Sequence, residues 1–289
     1  LTLLWLTWRQ HRAQALVTGA LLAVLGVVLL VNALGADDHG TSVRFESMYT
    51  FVSSLILVPA VVGVFWGAPL LAKEFERGTH KLVWTQSISR GRWMAVKLGG
   101  TGLVVAACGL LFGLMIEAWL RTFPGKSHPL DDMALFSLVG AVSVAWWLFA
   151  FVLGAAAGAV VRKTLPAIGV TIAVSVAVLA GLVFLRPHYA APERVELTGN
   201  LPVLQTEHIT KTLLVAPDGR EYDMLRPPAE CSAGPDQGKC LDAAGYRTFV
   251  EFQPSDRFWR FQWTEAGILF AGTLLLGAVA VRAGLRRRV

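Results

Sequence analysis

Six histidines, three cysteines and a scatter of acids are the side chains here that could do covalent or metal chemistry. The histidines (His11, His39, His80, His128, His188 and His208) stand apart, and none falls into a ligand spacing such as HExxH. His188, His208, Asp218, Glu221 and Asp223 are the nearest approach to a catalytic cluster, but their spacing fits no acid–base or nucleophilic template. The phosphate-cradling pattern GxxxxGK[ST] does not occur, so the chain is not expected to hydrolyse ATP. No catalytic residue, metal or cofactor is expected.

Cysteine chemistry is more specific. Cys231 and Cys240 flank the loop Ser-Ala-Gly-Pro-Asp-Gln-Gly-Lys, which a disulfide could close. Such a bond needs an oxidising compartment and would place that region outside the cell; two free thiols in a polar loop are the alternative. Cys108 lies inside an apolar run and reads as a small core residue.

The remaining charged chemistry concentrates between Leu71 and Lys97. Lys73, Arg77, Lys81, Arg90, Arg92 and Lys97 stand there with only two acids, Glu74 and Glu76. Long apolar runs flank this island on both sides. Short loops rich in Lys and Arg stay in the cytoplasm, so the segment is a candidate handle for a soluble partner. It reads as two helical pieces: Phe75, Leu82, Val83 and Gln86 share a side, and Arg77 and Lys81 form an i, i+4 pair elsewhere. Gly78 lowers helix propensity by ~1 kcal/mol and marks a bend or close contact. Ser87, Ser89 and Gly91 form a break before Arg92 and Trp93. An amphipathic loop resting on lipid headgroups is the alternative.

The elements that hold this island are membrane spans. Of 289 residues, 54% are hydrophobic and only 16% charged, against about 25% charged in soluble domains. The expected fold class is an all-α polytopic membrane protein with six transmembrane helices, near residues 14–34, 51–71, 94–120, 134–161, 165–185 and 264–284. The first apolar run is longer than the ~7–15 residues of a signal-peptide core and reads as a retained helix. The expected organisation is an amphipathic N-terminal segment 1–13, spans one to five over 14–185 with a coupling segment at 72–93, an extracytoplasmic domain 186–263, and a sixth span with a basic tail over 264–289.

Charge sorting orients the chain. With both termini cytoplasmic, the inner pieces carry 14 basic residues and two acids, and the outer pieces 12 basic residues and 18 acids. The net charge of +6 thus belongs to loops sorted by side, and no basic face for nucleic acid is expected. Phe258, Trp259, Phe261 and Trp263 cluster where the last span meets the bilayer surface. The external region contains eight prolines and short stretches such as 248–252 that could be strands.

Inside the spans, Gly63/Gly67, Gly109/Gly113 and Gly154/Gly158 have the GxxxG spacing that lets helix backbones meet, so a tightly packed bundle is expected. Glu117 is the exceptional acid, placed to reach water or Arg121 at the outer end of the third span. No series of acids or histidines suggests a proton relay.

Glu74-Phe75-Glu76-Arg77-Gly78-Thr79, followed by Gln86-Ser87-Ile88-Ser89-Arg90 and Lys97, resembles the pattern after the second span of ABC-2-type transporter permeases. Trp84-Thr85-Gln86 and Arg92-Trp93 are similar to an actinobacterial branch, as are Trp8-Arg9-Gln10-His11-Arg12, Arg162-Lys163-Thr164-Leu165-Pro166-Ala167 and Gln253-Pro254-Ser255-Asp256-Arg257-Phe258-Trp259. The general family often has proline where this chain has Gln86, and the middle of the external region does not align.

The resemblance implies the permease subunit of an ABC exporter in a bacterial plasma membrane. It would pair with a second permease copy or a homologous permease and dock two cytoplasmic ATPase subunits. Glu74, Glu76, Arg77, Gly78, Thr79, Lys81, Gln86, Ser89 and Arg90 would form the coupling contact, with Arg162 and Lys163 a smaller second one. Leu3, Leu4, Trp5 and Trp8 would lie along the inner interface. A bundle so poor in charge suits lipophilic or amphipathic cargo. A membrane sensor or scaffold with an external ligand-binding domain, and a membrane-embedded lipid-modifying enzyme, are the alternatives.

Overall fold

The computed structural model describes residues 2–35, 41–77, 90–125, 129–130, 132–197, 208–231 and 237–285. Six helices in it are long and apolar enough to cross a membrane: Arg12–Leu34, Val43–Glu76, Gly91–Arg121, Gly140–Val161, Thr164–His188 and Ser255–Leu285. A small four-stranded sheet lies between the fifth and sixth. The first candidate span is the later part of one continuous helix, α1 (Thr2–Leu34). The side chains of Leu3, Leu4, Trp5 and Trp8 lie outside the described residues.

The second span is one rod built from several helical types. α2 (Thr41–Ser54) passes through a 3-10 turn (Leu55–Leu57) into α3 (Val58–Val62), a π-helical turn (Gly63–Gly67) and α4 (Ala68–Glu76). Two prolines explain the changes of type. Pro59 cannot supply the N–H that the Leu55 carbonyl would accept in an α-helix, and the tighter turn lets Val58 N–H donate there instead. Pro69 likewise leaves the Phe65 carbonyl without its α-helical donor, and Gln14 Nε2 of α1 donates to it at 2.9 Å. The wider π register lets Ala68 N–H reach back to Gly63 O.

The fourth span, α7 (Gly140–Val161), is the axis of the bundle and is buried over most of its length. Its small residues meet the π turn backbone to backbone. A Cβ added to Gly63 would lie 2.5 Å from Ala150 O, and one on Gly158 would lie 2.5 Å from Ala68 O. On another face, Gly109 and Gly113 of α5 (Arg90–Arg121) meet Trp147 and Ser143, and Ser143 Oγ donates to Gly109 O at 3.2 Å. All three GxxxG pairs therefore sit at helix contacts, and two of them face each other.

Boundaries differ from expectation where local chemistry intervenes. The fourth hydrophobic run is split into α6 (Met133–Leu138) and α7 at Gly140, which has a φ of +62°. Gln262 bridges the break: its Nε2 donates to Phe136 O, and its Oε1 accepts from Val142 N, each at 2.9 Å. Asp132 caps α6 by accepting from Leu135 N. Gly91, expected in a break, lies in the first turn of α5. The last helix, α10 (Phe258–Leu285), starts earlier than residue 264, so the aromatic cluster is helical. Trp259 and Trp263 face outward, whereas Phe261 is buried.

After α8 (Thr164–Leu185), the chain forms an antiparallel sheet in the order β1 (Glu193–Glu196), β4 (Arg247–Gln253), β2 (His208–Val215), β3 (Glu221–Asp223). Leu214 of β2 and Leu241 of α9 (Gln237–Ala243) form its small core with Cys231. Cys231 and Cys240 are joined by a disulfide, with Cα atoms 5.7 Å apart.

The glycine seam gives a direct test. Gly154→Ala would put a Cβ 2.6 Å from Ala68 N and closer still to Gly63 O, whereas Gly169 has open space around it. Thermal unfolding of the detergent-solubilised protein should show Gly154→Ala destabilised by about 1–3 kcal/mol. Gly169→Ala should stay within about 0.5 kcal/mol of wild type.

Candidate functional site at the charged end of the bundle

Three consecutive residues at the end of α4 reach three different places. Glu74 pairs through Oε1 with the Lys97 ammonium of α5, and both side chains are largely buried. Lys97 also stands 5.1 Å from the Trp93 ring centre. A lone charge at this depth would be costly, and mutual pairing is what makes the two tolerable.

Phe75 lies beneath the Arg162 guanidinium, whose Cζ is 5.0 Å from the ring centre. Arg162 closes α7 in the left-handed region (φ 60°), its N–H donating to Gly158 O. That geometry costs a non-glycine residue energy, and the side chain gains contacts in return. Its Nη2 donates at 3.3 Å to Ala283 O in the last turn of α10, where a cation opposes the negative end of the helix dipole.

Glu76 caps the fifth span. Its Oε2 accepts from Thr164 Oγ1 at 2.8 Å and from Thr164 N at 3.3 Å. The carboxylate thus sits at the positive end of α8, where an anion is favoured. Glu74, Phe75 and Glu76 together tie the end of the second span to the third, fourth and fifth, and through Arg162 to the sixth.

The sequence singled out this end but not its internal wiring. Glu74 and Glu76, expected to meet a partner, have partners within the chain. Arg77, the C-cap of α4, and Lys163, the N-cap of α8, are exposed, and Arg162 is half-buried. Gly78, Thr79, Lys81, Gln86 and Ser89 lie outside the described residues, as does the Arg90 side chain, so the Arg77–Lys81 pair does too.

The opposite end holds a cluster that the sequence did not signal. Arg186, at the end of the fifth span, makes a two-bond contact with Glu265 of α10: Nε to Oε2 at 3.0 Å and Nη2 to Oε1 at 2.9 Å. Nη1 donates to Met133 O and Nη2 to Ser137 Oγ, and the guanidinium covers the Phe136 ring at 4.1 Å. The Glu265 side chain is 0% exposed. Tyr189 donates to Glu265 Oε2 at 3.4 Å; burial and then the Glu265 carboxylate push its phenol well above the ordinary range. Arg186 and Glu265 are 79 residues apart in sequence, so no local spacing marks them as partners.

The weak catalytic candidates that are described make separate local contacts. Glu221 pairs with Arg194, and Asp218 accepts from Arg220 N and pairs with its side chain. Asp223 Oδ1 accepts from Leu225 N, and His188 Nδ1 lies 3.1 Å from Phe184 O. The His208 side chain lies outside the described residues. Among the described residues, no group of three or more His, Cys, Asp or Glu could hold a metal ion. Glu117 meets Arg121 at 2.6 Å, as its spacing implied.

A family model described as ABC-2 membrane transporter related matches residues 35–186, more than half of the chain. The chain belongs to this family. The match runs from before the second span to Arg186, so it includes the Glu74–Glu76 junction and the Arg162 turn. ABC-2 membership points to an ABC-transporter membrane component, a permease rather than an enzyme. No curated protein matches the chain.

The Arg186–Glu265 pair should behave as one unit. Arg186→Met alone leaves a buried carboxylate unpaired and should cost about 3–5 kcal/mol, while Arg186→Met/Glu265→Met should recover most of that loss. Thermal unfolding of the two purified variants beside Glu265→Met measures the coupling.

Proposed function

We propose that this ABC-2 permease is the membrane subunit of an ATP-driven exporter, worked from the cytoplasm by separate ATPase subunits that bind residues 72–93. The observation that carries the reading is the junction at Glu74-Phe75-Glu76. A force applied to the chain just beyond Glu76 meets an ion pair to the third span, a cation–π contact to the fourth, hydrogen bonds to the fifth and, through Arg162, the sixth. Arg77, Arg92 and Lys163 supply exposed positive charge for an acidic ATPase surface.

Both termini then lie in the cytoplasm, as the positive-inside distribution favours, and the sheet faces outward. The Cys231–Cys240 disulfide supports that placement, because such bonds persist in oxidising compartments. Spans one, five and six leave much apolar surface exposed, which lipid and a second permease would share. Lipophilic or amphipathic cargo follows from the scarcity of charge in the bundle.

Because Glu74 and Glu76 hold the bundle together, reversing them would confuse docking with folding. Arg77→Glu/Lys163→Glu changes exposed charges only. Co-purification of the full-length permease with its ATPase should fall about fivefold or more in this double variant at physiological salt, with an unchanged melting temperature. Wild-type association and transport in that variant would remove the docking role.

A further inference from the structure

A groove of about 930 Å³ runs between α1 and the second span. α1 lines it from Ala13 to Val28, a rise of about 22 Å, which exceeds the ~15 Å of hydrocarbon in one leaflet. Phe112 and Trp147 form its floor, and Leu, Val and Phe side chains make up most of its walls. Its polar groups gather toward one end, and most are already used. Trp66 Nε1 donates to Thr18 Oγ1, Gln14 Nε2 to Phe65 O, and Thr164 Oγ1 to Glu76.

Lys73 is different. It lines the same end, and among the described residues no ion pair involves it. No acid lines the groove. Nor can the rest of the chain easily supply one: residues 1–13, 72–97, 161–164 and 282–289 contain no acid except Glu74 and Glu76. Those two are held by Lys97 and Thr164. A second copy inserted in the same orientation would bring only the same two occupied carboxylates to that level.

We propose that the groove binds one anionic bilayer lipid, with an acyl chain along α1 and its phosphate head at Lys73. Charge complementarity selects the head, and the apolar length selects a chain over a soluble anion. The lysine stem can lie along the apolar wall while its ammonium reaches the headgroup level. With the N-terminal end of α1 cytoplasmic, the site opens to the leaflet that carries anionic lipids. The inference needs the spans to lie in a bilayer but does not need ATPase docking.

The test is native mass spectrometry of the full chain, delipidated in neutral detergent and titrated with dioleoyl-phosphatidylglycerol or dioleoyl-phosphatidylcholine. Wild type should retain one phosphatidylglycerol per protomer, held about fivefold more strongly than phosphatidylcholine, the preference one lysine near an anionic surface supplies. Lys73→Gln should abolish the preference, and Val61→Trp, which fills the groove, should displace both lipids. Should Val61→Trp not fold, Val17→Trp fills the same space from the opposite wall. Equal retention of the two lipids by wild type, or an unchanged preference in Lys73→Gln, overturns the proposal. So does displacement by inorganic phosphate, or a lipid-free dimer that Val61→Trp dissociates, which would assign the groove to a second copy. Failure of ATPase binding in the Arg77→Glu/Lys163→Glu experiment leaves this result untouched.

Discussion

The backbone contact between the π turn of the second span and the glycine face of the fourth sets the geometry of the bundle. Gly63, Gly67, Gly154 and Gly158 bring main chains to a separation that no side chain could occupy. In lipid, helices gain little from hydrophobic burial against one another, so close van der Waals fit is the main source of specificity. The seam has one register. It places Ala68 to Glu76 beside the C-terminal half of α7, and so brings Phe75 beneath Arg162 and Glu76 beside Thr164.

The two prolines of the second span make that register possible. A straight α-helix through Leu55–Glu76 would leave the Leu55 and Phe65 carbonyls without donors in a medium that offers no water. The 3-10 turn satisfies the first, and Gln14 of α1 satisfies the second. The irregularity of one span thereby recruits a polar side chain from another. The helix that is otherwise poorly buried is held at this point and at Trp66–Thr18. The groove beside α1 runs along this contact, and Gln14, Thr18, Phe65 and Trp66 are among the residues that line it.

Much of this arrangement was legible in the sequence because membranes constrain composition strongly. Six apolar runs could only be six helices, and the three glycine pairs followed from their spacing. The Glu117–Arg121 contact and the strand around residues 248–252 followed from local pattern. What could not be read are contacts between residues distant in the chain. Arg186 and Glu265 look like ordinary residues at span ends until folding brings them together. Gln262 reads as a polar residue in a helix, yet it caps a break more than a hundred residues earlier in sequence. The split at Gly140 was hidden because both sides of it are apolar. Glu74 and Glu76 were recognised as belonging to an important segment, but sequence alone does not say whether a carboxylate faces inward or outward.

The two buried ion pairs divide the labour between the ends of the bundle. Glu74–Lys97 joins the second and third spans at the end that carries residues 72–93, and Arg186–Glu265 joins the fifth and sixth at the other. Each is satisfied only in one relative position of its helices, since separating the charges within the bilayer would strand both. Between the ends the contacts are apolar packing, backbone approach and a few neutral hydrogen bonds such as Trp66–Thr18 and Ser143–Gly109, and each of these is cheaper to shift than a bonded charge. On the exporter reading, motion that starts at residues 72–93 would carry the third span along with the second, because Glu74 does not release Lys97 cheaply. The fifth and sixth spans would move together at the far end for the same reason. Groups of helices, rather than single helices, are then the moving parts, and the glycine seam makes the fourth span travel with the second and third.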